Sequence, residues 1–174
     1  MRIRRISHTI FALVLIGLGM IGLVKGTFGP GLEPVPASLP GRQVLAYLCD
    51  LVYLVCGVGL LLPRTAILAA RVLFAFLLLW LILLRLPWLL VDPQVNTWWP
   101  AASTSVILAA AWVLYASLAD DQDRQYLGFA VGENGVRVAT ILFGLGLIPL
   151  GLAHFLYLEA TAPLVPAWLI WPVF

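Results

Sequence analysis

VLAYLCDLVYLVCGVGLLLPRTAILAARVLFAFLLLWLILLRL, residues 44–86, reads as two apolar runs broken once, at Pro63-Arg64. A helix rises 1.5 Å per residue, so about 20 residues cross the hydrocarbon core of a bilayer. The first run, about Val44 to Leu62, has that length; the second, from near Thr65 to about Leu90, exceeds it and is expected to tilt. Each carries charge inside it, Asp50 in the first and Arg71 and Arg85 in the second. Charge at that depth needs a compensating group.

Outward from this pair, the chain between Arg5 and Lys25 is apolar except for Ser7, His8 and Thr9, and forms another span. Arg2, Arg4 and Arg5 before it resemble the start of a signal peptide, but Lys25-Gly26-Thr27-Phe28 offers no small-x-small cleavage site, so an uncleaved span is expected. Residues 26–43 hold Pro30, Pro34, Pro36 and Pro40 with Gly26, Gly29, Gly31 and Gly41, which excludes a continuous helix and predicts an ordered or interfacial loop. Residues 91–100 predict a polar turn, and Ala101–Leu118 a span rich in Ala and Ser, suited to close helix packing. Asp120, Asp121, Asp123 and Arg124 open a hydrophilic loop closing at Asn134-Gly135. Val138 to about Leu158 is the fifth span, with a kink expected at Pro149. Composition agrees: 63% hydrophobic and 10% charged residues with mean hydropathy +1.05 lie outside the range of soluble domains. The expected fold is an all-α membrane protein.

Positive residues are retained on the cytoplasmic side of a membrane. A cytoplasmic N-terminus places Arg2, Arg4, Arg5, Arg64, Arg71, Arg124 and Arg137 there, and leaves Lys25, Arg42 and Arg85 at or towards the other side. The same orientation gathers Trp88, Trp98, Trp99, Trp168 and Trp171 at the outer interface, where indoles concentrate. A net charge of +2, spread singly apart from the N-terminal arginines, gives no support to nucleic-acid binding.

The opening segment recurs near the end of the chain. Gly17, Gly22, Lys25, Phe28 and Pro34 match Gly146, Gly151, His154, Tyr157 and Pro163 at a constant offset, and Pro36, Ala37 and Leu39 match Pro166, Ala167 and Leu169 after a one-residue shift. An even number of spans separates the copies, so the repeat is of the parallel kind. It predicts a four-helix module over residues 1–119, a cytoplasmic linker over 120–136, and over 137–174 the first helix and Pro-rich turn of an incomplete second module.

Asp50 and Arg85 lie at similar depths in neighbouring antiparallel spans, and an ion pair between them is the first expectation, either as a static strut or as the polar floor of a pocket. Tyr53, one helical turn after Asp50, shares its face. His8 and His154 sit near opposite ends of their spans, so bis-histidine haem within one chain is not expected, and no metal-ligand spacing occurs. His154 with Glu159 forms a candidate interfacial site. Cys49 and Cys56 are roughly 10 Å apart along one helix, beyond disulfide reach, and read as buried free thiols. Gly132-Glu133-Asn134-Gly135 reads as a turn, and Gly22 with Gly26 as a small-x3-small pair offering weak support for dimerisation. No phosphate loop or catalytic triad spacing is present, so no catalytic residue is assigned.

Leu45-Ala46-Tyr47-Leu48, Gly57-Val58-Gly59-Leu60-Leu61-Leu62-Pro63-Arg64, Ala69 and Ala70 resemble the second and third helices of DoxX-like membrane proteins. His154-Phe155, Glu159, Pro163 to Val165 and Pro166-Ala167-Trp168-Leu169 are similar to that family's segment after its first helix. The resemblance implies a four-helix membrane bundle in a bacterial or archaeal cytoplasmic membrane and, for some relatives, association with quinone-linked sulfur oxidation. The chain departs from it at Tyr53, where many members carry Glu, and at Lys25-Gly26, where the family has His-Phe. The expected function is therefore an accessory, quinone- or lipid-associated subunit without its own catalytic centre. The alternatives are a small-solute transporter built from duplicated modules, or a scaffold that packs against a membrane partner or a second copy.

Overall fold

The computed structural model describes residues 2–36 and 39–161. Among them there is no strand, and five helices are long and apolar enough to cross a membrane. They are α1 (Arg2–Lys25), α2 (Arg42–Leu61), the compound helix Ala66–Val91, α5 (Val95–Leu118) and α7 (Gly132–Leu156). Short helices α6 (Asp121–Tyr126) and α8 (Leu158–Thr161) complete the order. Leu13, Val14, Val55, Leu79, Leu83, Ile141 and Ile148 stand exposed on the crossing helices, an apolar surface of the kind a bilayer covers. These are the features of a multi-pass membrane protein.

Local chemistry sets the helix ends. Gly26 (φ 67°) ends α1 and Gly41 (φ 69°) precedes α2, both in the left-handed region where a side chain is strained. Pro63 stops α2, and the Thr65 hydroxyl donates to the Gly59 carbonyl (2.8 Å), one of the acceptors left over at the helix end. The second long run is α3 (Ala66–Trp80), a π-helical turn (Leu81–Arg85) and α4 (Leu86–Val91). Pro87, which has no N–H for the carbonyl four residues back, follows directly on the widened turn, where Leu86 N donates to Leu81 O.

Two boundaries differ from the sequence expectation. α5 starts at Val95, because Gln94 and Thr97 form a reciprocal capping box that begins the helix ahead of Pro100, so the polar turn is shorter than residues 91–100. α7 starts at Gly132, so Gly132-Glu133-Asn134-Gly135 is its first turn and not a loop; a Cβ at Gly135 would collide with the Ala130 backbone. Pro149 lies within α7 without ending it.

Packing is sequential: α1 on α2, α2 on α3, α3 on α5, and α5 on α7. One buried cluster joins Leu15 of α1, Tyr53 of α2, Leu73 and Leu77 of α3 and Leu108 of α5 with Phe28, Leu32 and Val35 of the segment after α1. Here the loop expectation is sharpened. The described part of the Pro- and Gly-rich segment that follows α1, residues 26–36, sinks three apolar side chains into the helix bundle. The buried residues of α7 are the small Gly135, Ala139, Gly146 and Ala153, so it lies close along α5 and adds only Leu142 to the edge of the cluster.

Candidate functional site

Asp50 is fully buried (0% exposed) and Arg85 nearly so (5%), but they do not form the expected ion pair. The described segment after α1 supplies partners to both. Gly29 N donates to Asp50 Oδ1 at 2.9 Å. Arg85 donates through Nη1 to Pro34 O and through Nη2 to Glu33 O, each at 2.6 Å, while its Nε lies 3.4 Å from Thr104 Oγ1. Thr104, fully buried on α5, donates to Gly31 O at 2.5 Å and approaches Pro100 O at 3.1 Å. The bonds of Arg85 thus go to neutral acceptors. The expectation fails because an inserted segment lies between them: its backbone carbonyls take the Arg85 guanidinium and its Gly29 N–H takes one oxygen of Asp50.

Glycines make the acid's position possible. A Cβ on Gly22 would fall on the Asp50 carboxylate, and one on Gly29 would lie 2.9 Å from Asp50 Oδ1 and 3.5 Å from the Tyr53 ring. Gly22 is therefore spent within the α1–α2 contact, and a Cβ on Gly26 would meet the Tyr47 hydroxyl at 3.0 Å, so the pair is no free dimerisation face. Gly19 on α1, against Leu54, and Gly57 on α2, against Ala12 and Ile16, bring the two backbones together further along the same contact, towards the start of α1.

Around the acid, Tyr53 packs edge-on to Phe76 (centroids 6.1 Å apart), Phe76 lies 5.8 Å from Trp80, and Trp80 lies 5.6 Å from Phe28. Three buried polar atoms in this neighbourhood have no hydrogen-bond partner: Asp50 Oδ2, the Tyr53 hydroxyl and Trp80 Nε1. Buried polar groups are nearly always satisfied, so three together single this region out. At its rim the Arg42 guanidinium lies 5.5 Å from the Phe28 ring centroid and 3.9 Å from Glu33 Oε1.

Among sequence-predicted residues, Asp50 and Tyr53 share the α2 face turned to Gly29, and Arg85 lies on the other side of the same segment. His154 and Glu159 are both exposed; His154 Nδ1 bonds the Leu150 carbonyl of its own helix at 2.7 Å, and no bond joins it to Glu159. Cys49 and Cys56 are buried free thiols. Among the described residues no group of three or more His, Cys, Asp or Glu side chains converges as a metal ion requires. Trp88 and Trp98 are exposed near one end of the bundle, whereas Trp168 and Trp171 lie outside the described residues.

The sequence reading missed a second polar cluster. Arg71 Nη2 donates to Asp120 Oδ2 (2.6 Å) and Asp123 Oδ2 (2.9 Å), and the Tyr115 hydroxyl donates to Asp123 Oδ1 (2.9 Å). Asp120 and Asp123 also cap α6 reciprocally. Trp112 Nε1 donates to Ala130 O at 2.8 Å, so residues 120–131 fold back onto the bundle. The detectable signal was the Asp-x-x-Asp spacing, a capping pattern read there as a solvated loop. For Asp123, burial acts to raise the carboxyl, but hydrogen bonds from Arg71, Tyr115 and the Asp120 backbone outweigh it and hold it below the usual carboxylate range.

No protein-family model, curated protein or solved structure matches this chain.

Proposed function

We propose that the chain is a DoxX-like accessory subunit of a bacterial or archaeal cytoplasmic membrane, with its N-terminus in the cytoplasm and a quinone or lipid held near Asp50, Tyr53 and Arg85. The observation that carries this reading is the aromatic neighbourhood of Phe28, Tyr53, Phe76 and Trp80 with unpartnered donors on Tyr53 and Trp80. Donors of that kind suit the carbonyl oxygens of a quinone head group or the ester oxygens of a lipid. The absence of a catalytic constellation in the sequence fits a subunit acting beside a membrane partner or a second copy.

Mass spectrometry of lipid extracts from the chain purified in mild detergent tests it. A quinone or a lipid retained in stoichiometric amount, and depleted in Trp80→Phe, is the expected result. Preparations retaining neither, with no redox partner co-purifying, would remove the reading. The transporter alternative draws on one observation, two ionisable side chains without counter-ions inside membrane-length helices. Solute uptake by proteoliposomes that depends on Asp50 would favour it over the accessory role.

A further inference from the structure

We infer that Asp50 is a proton-binding site in the membrane interior, holding a neutral carboxylic acid while the segment after α1 is seated over it. The inference goes beyond the quinone or lipid reading and stands whether or not either molecule binds.

The argument rests on the inventory of partners. An ionised carboxylate calls for donors at both oxygens, whereas a carboxylic acid calls for a donor at one and carries on the other a hydroxyl that can itself donate. At Asp50 one oxygen accepts from Gly29 N and the other has neither a donor nor an acceptor among the described residues, an arrangement far costlier for a charged oxygen than for a neutral hydroxyl. The side chain is fully buried, and the described residues place no cation in hydrogen-bond or ion-pair contact with it. Burial of a charge without a partner is strongly unfavourable, and a carboxyl escapes that cost by keeping its proton. The titratable and charged neighbours are Cys49 and Tyr53 on its own helix, Glu33 on the segment above it, and Arg85 beyond that segment, held by the Glu33 and Pro34 carbonyls and Thr104. From α1 it meets Gly22, which brings no titratable group. The segment that covers the acid also holds Arg85 away, so displacement of the segment would remove both the cover and the barrier to pairing. Proton release from Asp50 is thereby tied to the position of residues 26–36.

Infrared spectroscopy of the full chain in lipid, with 13C-carboxyl aspartate, reads the proton directly. The expected result is a protonated-aspartate C=O band that persists from neutral to mildly alkaline pH and disappears in Asp50→Asn. Asp50 is the one fully buried aspartate: Asp92, Asp120 and Asp121 are at least partly exposed, and Asp123 is bonded to Arg71 and Tyr115. Should Asp50→Asn fail to fold, the isotope-sensitive band in the unmodified chain decides alone. No such band at neutral pH, or a band that Asp50→Asn leaves in place, would overturn the inference.

Discussion

Arg71 and Arg85 stand on one membrane-length helix, Ala66–Val91, and are partnered in opposite ways. Arg71, near its start, meets two carboxylates, one of which also accepts from Tyr115, so the cation is fully paired. Arg85, near its far end, meets only neutral acceptors, and the acid that could pair with it is turned to Gly29 on the other side of an inserted segment. A satisfied network is what structure alone requires. A divided one keeps two charge-capable groups uncompensated, which folding does not call for and which marks the Asp50 region as the place to look for function.

Removing the segment's anchor should give the largest effect. Arg85→Met leaves the Glu33 and Pro34 carbonyls without their charged donor and is expected to cost about 3 kcal/mol, since hydrogen bonds to charged groups contribute about 1.5–3 kcal/mol each. Thermal unfolding in detergent, together with protease sensitivity of residues 26–41, measures it. An unchanged melting temperature would mean that the segment is held by Phe28, Leu32 and Val35 alone.

A smaller effect follows from filling the space beside the acid. Gly22→Ala puts a methyl where the Asp50 carboxylate lies and should destabilise by about 1–3 kcal/mol, the usual range for overpacking. Combined with Asp50→Ala it should cost less than the sum of the two, because the obstructing group has gone. A double-mutant cycle on melting temperatures checks this.

The Arg71 end is distinguished by its response to acid. The folded state holds Asp123 below its unfolded value, so the unfolded chain binds the extra proton first and stability falls as pH drops. This contribution is fully present above the ordinary carboxylate range, about pH 4, and is lost below it as pH passes through the depressed folded value. A pH series of melting temperatures should show that acid-side loss, reduced in Asp123→Asn. Equal loss in both proteins would place the acid sensitivity elsewhere.

The least effect is expected at Gly151, the position that the expected repeat would align with Gly22. A Cβ there meets nothing within 4 Å, so Gly151→Ala should change stability by less than about 0.5 kcal/mol, or raise it slightly through helix propensity. Gly17 and Gly146 differ too, the first open and the second against Val106 and Ala102 of α5. Similar sequence in the two segments has been given different neighbours.

The five apolar helices, the breaker-rich segment and the interior placement of Asp50 and Arg85 were legible in residue order. Helix starts were less so, because Gln94 with Thr97, and the glycine at 132, extend helices past residues that read as breakers. The Arg71 cluster was hidden because its partners come from residues 120 and 123, far along the chain, where an acidic run resembles a solvated loop.

Length, hydropathy and the placement of prolines are local properties, and they determined by themselves that the chain forms helices of membrane length separated by short connections. Which group answers each interior charge was decided only by the tertiary structure. The groups that do so at Asp50 and Arg85 are a backbone N–H and backbone carbonyls, present in residues of every type, so residue identity cannot announce them; only the path of the chain brings residues 29–34 between α2 and α3.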